Sequence, residues 1–239
     1  MTRVILLPGL ASDAALWRSQ VPALVAAGHK VHVSDAHTRA DTLSAMARAV
    51  LNDHEGPLVL VGTSMGGIVA LEVFRQAPER VAALALLGSN ARPDTPDMIR
   101  LRSAAVREFE QGRVEEILRA NVPFAFHASR QGDTALVSDY FEMIHRAGAA
   151  QLIQQNRAIM ARPDSRPLLP RVRCPVLLVC GDGDALTPPE CSREIAAAVP
   201  QAELHLLRQC GHLLTWERPD EVSALLLRWL ARLEGSAPG

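Results

Sequence analysis

The chain has almost no lysine. Lys30 is the only one among 239 residues, so arginine carries nearly all the positive charge. We read this as compositional bias without functional weight. Surplus charge of either sign is also lacking: the formal net charge is -1. Neither nucleic acid nor a membrane surface is therefore an expected partner. No apolar run approaches the roughly eighteen residues of a membrane-spanning helix. The opening run Val4-Ile5-Leu6-Leu7 is broken by Pro8-Gly9 and is too short for a signal h-region. Cys174, Cys180, Cys191 and Cys210 have no C-x-x-C spacing, which reads as reduced thiols in a cytoplasmic protein. What remains is ordinary for one large globular domain, with 48% hydrophobic residues and enough length for an ample core.

Short apolar runs alternate with helical patterns. Val4–Leu7, Lys30–Ser34, Leu58–Val61, Val81–Leu87, Pro175–Cys180 and Ala202–Leu207 read as strands. Helices fit Asp13–Ala26, ending at Gly28, then Asp41–Asp53, Gly67–Phe74, about Pro189–Ala198, and Pro219–Leu233. Repeated β-α units with continuous apolar strands imply an α/β fold, a mostly parallel sheet of about six strands covered by helices on both faces.

One interval departs from this rhythm. Between Leu87 and Cys174 no strand pattern occurs. Thr95-Pro96-Asp97 opens a helix and Gly112 stops it; Arg113–Ala120, Asp133–Ala147 and Ala149–Met160 follow, with Gly148 between the last two. Residues 91–170 read as a helical lid inserted between strands, and residues 1–90 and 171–239 as the core. Phe124, Phe126 and Met143, with Leu152 and Met160, are candidates for an apolar pocket in this segment. Asn90 and Arg92, just past the fourth strand, are candidates for a polar substrate contact.

The most informative stretch is Gly62-Thr63-Ser64-Met65-Gly66, between the third strand and the helix after it. Gly-x-Ser-x-Gly in this context is a nucleophile elbow: a tight turn lifts the serine hydroxyl above the sheet, and flanking side chains would crowd the backbone. Such a serine needs a base. Of eight histidines, His212 lies in a loop beyond the sixth strand, where open α/β sheets place their chemistry. His205 lies inside that strand and is expected to be packed in the fold. His127 and His145 sit in the inserted segment. An acid is required between Ser64 and His212, and the turn after the fifth strand offers Asp182 and Asp184.

These motifs resemble the α/β-hydrolase superfamily over essentially the whole chain, and more narrowly its small single-domain bacterial esterases and lactonases. The order Ser64, acid, His212 is the family order. The family's Gly-x-x-Asp-x-x-x-Pro turn maps onto Gly181, Asp184 and Pro188, which selects Asp184 over Asp182. Gly211 to Pro219 looks like the family's histidine loop. The resemblance implies an oxyanion hole from the backbone N–H groups of Met65 and Leu10; many relatives have His-Gly where this chain has Pro8-Gly9. It further implies an ester or lactone hydrolase without metal or organic cofactor, acting on a small molecule as a monomer or homodimer. The alternatives are the same triad used for C–C bond hydrolysis, perhydrolysis or a lyase step, and a non-catalytic receptor on the same fold.

Overall fold

The computed structural model describes residues 3–235. Its strands are β1 (Arg3–Leu7), β2 (Lys30–Val33), β3 (Leu58–Thr63), β4 (Val81–Leu87), β5 (Val176–Gly181) and β6 (Ala202–Leu207). Its α-helices are α1 (Gln20–Ala26), α2 (Ala36–Arg39), α3 (Leu43–Asp53), α4 (Met65–Gln76), α5 (Pro96–Glu110), α6 (Val114–Ala125), α7 (Thr134–Met160), α8 (Pro189–Ala198), α9 (Leu214–Glu217) and α10 (Pro219–Gly235). The strands form one sheet in the order β2-β1-β3-β4-β5-β6, and every neighbouring pair is parallel. No helix among the described residues is long and apolar enough to cross a membrane.

Alternating side chains split the core into two layers, as the two-residue period of a strand requires. Val4, Leu6, Val59, Val61, Ala83, Ala85, Leu177 and Val179 pack on one face with Trp17, Leu24, Leu226 and Trp229. Ile5, Leu7, Leu58, Leu60, Leu84, Leu86, Val176 and Leu178 pack on the other with Met46, Val50, Val73 and Ile195. Both faces of β3 are buried along its whole length, which explains its uninterrupted apolar run. The chain leaves β1 for β2 on one side and returns to β3 on the other. The crevice above β1 and β3 is therefore the topological switch point.

Two sequence expectations change in detail. Asp13–Ala26 is not one helix: Asp13 caps a 3₁₀ turn at Ala14–Trp17, and α1 starts anew at Gln20. Pro22 has no N–H to donate, so it fits the first turn of a helix and not its middle. His205 is half-exposed, not packed, because β6 is an edge strand. The segment between β4 and β5 is helical as read, with Gly148 at φ 73° and ψ 172° interrupting α7 where the sequence places a break. Phe109, Leu118, Tyr140 and Met143 from this segment share the buried cluster of Trp17 and Val61. The insertion therefore extends the core.

The four cysteines are free thiols. Burial pushes Cys174 up to about 11 and Cys180 up to about 12, which suppresses the thiolate and its reactivity.

Candidate active site

Ser64 is the single residue between β3 and α4, with φ 49° and ψ −116°, a conformation that side-chain-bearing residues rarely adopt. Its surroundings hold it there. Ser64 N–H donates to the Leu87 carbonyl at 2.9 Å, and Ser89 Oγ donates to the Ser64 carbonyl at 2.8 Å. The flanking glycines are steric requirements. A Cβ on Gly62 would lie 2.4 Å from the Gly66 and Gly67 backbone, and one on Gly66 would lie 2.0 Å from the Leu7 carbonyl oxygen. The second clash also shows how closely the elbow packs on the end of β1.

β5 delivers Asp184, and the loop beyond β6 delivers His212. Nδ1 of His212 lies 3.0 and 2.9 Å from the two Asp184 oxygens. A carboxylate only accepts, so Nδ1 carries the hydrogen and Nε2 is left to accept a proton. Asp184 is itself fixed: the N–H groups of Leu186 and Thr187 donate to Oδ1 at 2.9 and 2.8 Å, and Thr187 Oγ1 donates to Oδ2 at 2.7 Å. Burial acts to raise the Asp184 pKa, but the charge and hydrogen bond of His212 together with Thr187 hold it below the usual carboxylate value. For His212, burial acts against the charged ring; the Asp184 charge and hydrogen bond outweigh it, with a smaller contribution from Glu217, and the pKa lies above the ordinary value.

Asp182 points elsewhere. It is exposed and accepts from the Cys210 N–H at 3.3 Å, bracing the loop that carries His212. Gly88, at φ 51°, makes room for the pair, since a Cβ there would meet Asp184 Oδ2 at 3.2 Å and His212 Nδ1 at 3.5 Å.

The histidine loop is tied to the inserted helices. The N–H groups of His212 and Leu213 both donate to the Ala125 carbonyl at 3.1 Å. The buried carboxylate of Glu217 accepts from Gly211 N–H and His127 N–H, each at 3.0 Å. Burial raises the Glu217 pKa, and those backbone donors oppose the rise.

Ser64 and His212 line one cavity of about 590 Å³, within the range of small-molecule sites. Gly9, Leu10 and Met65 line it too, and a Cβ on Gly9 would sit 3.5 Å from Ser64 Cβ. The β1 loop and the first turn of α4 thus flank the serine. The remaining wall is mostly apolar and comes largely from α5, α6 and α7.

Phe124, Met143, Leu152 and Asn90 reach this cavity. Phe126 is buried away from its wall, with its ring edge-on to Tyr140 at 5.6 Å, because α6 ends at Ala125 and the chain turns inward. Met160 accepts from Ser103 Oγ instead, and Arg92 pairs with Glu194 at 2.8 Å. His145 pairs with Glu115 at 3.0 Å, and His127 Nδ1 with Ser129 Oγ at 2.8 Å. Thr187 and Glu217 were not singled out from the sequence. Thr187 had a local signal, a hydroxyl three residues after an Asp in a turn. Glu217 had none, because its partners come from the insertion and from a folded loop.

A family model described as the alpha/beta hydrolase family matches residues 4–225. A 2-hydroxy-6-oxononadienedioate/2-hydroxy-6-oxononatrienedioate hydrolase of Klebsiella pneumoniae is 26% identical over 253 residues, covering 96% of this chain and 87% of that protein. A thermophilic esterase of Thermogutta terrifontis has a similar structure, with a TM-score of 0.87 and 28% identity over 98% of this chain and 90% of that one. The enol-lactonase of Burkholderia xenovorans shares the fold, with a TM-score of 0.86 at 21% identity over 96% and 91% of the two chains.

Proposed function

The chain belongs to the α/β hydrolase family, and we propose that it is a serine hydrolase cleaving carboxylic esters or lactones of small to medium apolar substrates. The observation that carries this reading is the elbow serine at φ 49° in the same apolar cavity as a histidine fixed at Nδ1 by a buried carboxylate. The 28% identical thermophilic esterase supports the ester class.

Ser64 Oγ attacks the acyl carbonyl while Nε2 of His212 takes its proton. Asp184 keeps the ring in the tautomer that can accept and stabilises it once charged. The backbone N–H groups of Leu10 and Met65 receive the oxyanion, a contribution of about 3 kcal/mol per donor in comparable sites. The proton passes to the leaving alcohol, an acyl-enzyme remains, and water activated by His212 releases the acid. Residues 91–170 act as the lid over a core of residues 1–90 and 171–239, with Phe124 and Met143 in the acyl-binding wall.

Hydrolysis of a C–C bond is the second reading. It is favoured by the 26% identical dienedioate hydrolase. Parallel kcat/KM measurements on p-nitrophenyl esters and on a 2-hydroxy-6-oxo-dienoate separate the two. The ester reading predicts the higher value for the esters. Turnover of the dienoate alone would replace it with the second.

A further inference from the structure

The cavity wall is mostly apolar, and both of its arginines lie where α5 and α7 meet. There Asp94, whose side chain is fully buried, is shared by two arginines. Arg162 Nη1 lies 2.7 Å from Asp94 Oδ1, and Arg102 Nε lies 2.8 Å from Oδ2. Arg162 is almost completely buried, at 2% side-chain exposure, whereas Arg102 is 30% exposed, and both line the cavity. Arg102 Nη1 also donates to Asn156 Oδ1 at 2.9 Å. Among the described residues these contacts use Nε and one hydrogen of Nη1, which leaves Nη2 with its donors. Two guanidinium groups on one carboxylate leave one surplus positive charge at the wall. Asp94 itself stands behind the wall, and Glu108, a carboxylate that does line the cavity, is drawn off by Arg113.

Arg162 alone neutralises Asp94, so a brace between the helices does not require Arg102 to face the cavity. An unbalanced charge in a mostly apolar wall is costly unless an anion completes it. A planar guanidinium with free donors matches a carboxylate. We propose that Arg102 binds a carboxylate on the acyl portion of the substrate, making the preferred substrates monoesters or lactone acids derived from dicarboxylic acids. This rests on the hydrolase reading and narrows it. The Arg102 charge also opposes protonation of His212, which puts it within electrostatic reach of the proton-accepting ring.

The test measures binding rather than turnover. In Ser64→Ala protein, calorimetry compares monomethyl succinate, glutarate and adipate with methyl butanoate, pentanoate and hexanoate. At one chain length or more the acid is expected to bind about ten- to a hundredfold tighter than its neutral match, the range for a charged hydrogen bond. Adding Arg102→Met should abolish that preference, and Arg102→Lys should retain part of it, since the charge remains and the fork is lost. Equal or weaker binding of the acids at every length overturns the proposal without any Arg102 variant having to fold. So does a preference that survives Arg102→Met. Failure of the hydrolase reading appears separately, as wild-type protein whose Ser64 does not react with a fluorophosphonate.

Discussion

The side-chain carbonyl of Gln155, from α7, accepts a hydrogen bond from the Ala11 backbone N–H at 2.7 Å. Ala11 sits at φ 52°, a left-handed conformation costly for a residue with a Cβ. Gln155 is completely buried, and its Nε2 donates to the His37 carbonyl at 3.0 Å. An inserted helix therefore fixes the strained residue next to Leu10. Gln155→Leu should leave the Ala11 N–H without its partner, at a cost of about 1–3 kcal/mol, and let the Leu10 amide drift. The expected signature is a fall in kcat larger than the rise in KM, with a lower melting temperature. Ala11→Gly removes the steric strain and should stay close to wild type in kcat.

The acid can be assigned by paired substitutions. Asp184→Asn should lower kcat on the order of a thousandfold or more, because an amide can hold the ring in the wrong tautomer and cannot balance its charge. Asp182→Asn should cost less than about tenfold, since Asp182 only braces the Cys210 N–H. Steady-state kinetics of the two variants decides, and the reverse ranking would move the acid to Asp182.

The pH profile follows from the direction of the His212 shift. In the proposed mechanism the neutral ring is the base, and burial favours that form; Asp184 more than offsets burial and raises the pKa above the ordinary imidazole value of about 6.5. The acidic limb of kcat/KM should therefore have its midpoint above about 6.5. Asp184→Asn removes the charge and leaves the burial, so the limb in its residual activity should move to lower pH. The linked stability follows the same signs. The His212 contribution is complete below the unfolded value and fades as pH rises through the raised one. The Asp184 contribution, from a lowered pKa, is present above about 3.8 and is lost on acidification.

Met143 lies in the cavity wall and is almost fully buried. Met143→Ala should enlarge the acyl space at a stability cost of about 2–5 kcal/mol. The ratio of kcat/KM for octanoate over acetate esters should rise relative to wild type. An unchanged profile across acetate to octanoate would mean that acyl chains do not reach this wall.

Much of this was legible in the sequence because the informative signals are local. All six strands were readable, the inner four as apolar runs, and the Gly62–Gly66 motif carries its own steric logic. Gly112 and Gly148 mark helix breaks in the insertion, and their positive φ shows why glycine stands there. The Asp184 turn was ambiguous from residues alone, and only its resemblance to the family's Gly-x-x-Asp-x-x-x-Pro pattern pointed to Asp184. Other features depend on contacts between segments far apart in the chain. Gln155 reaches Ala11, Glu217 reaches His127, and Asp94 gathers Arg102 and Arg162 across helices. No periodicity encodes such pairs. Phe124 and Phe126 read alike, yet the end of α6 sends one to the cavity and the other to the core.

The proposed chemistry turns on Ser64 as a nucleophile activated by His212. Its most direct test is intact-protein mass spectrometry after treatment with a fluorophosphonate, followed by peptide mapping. One adduct per chain is expected, on Ser64, absent in Ser64→Ala and strongly slowed in His212→Ala. An unlabelled wild-type protein, or an adduct on a different residue that persists in Ser64→Ala, would contradict it.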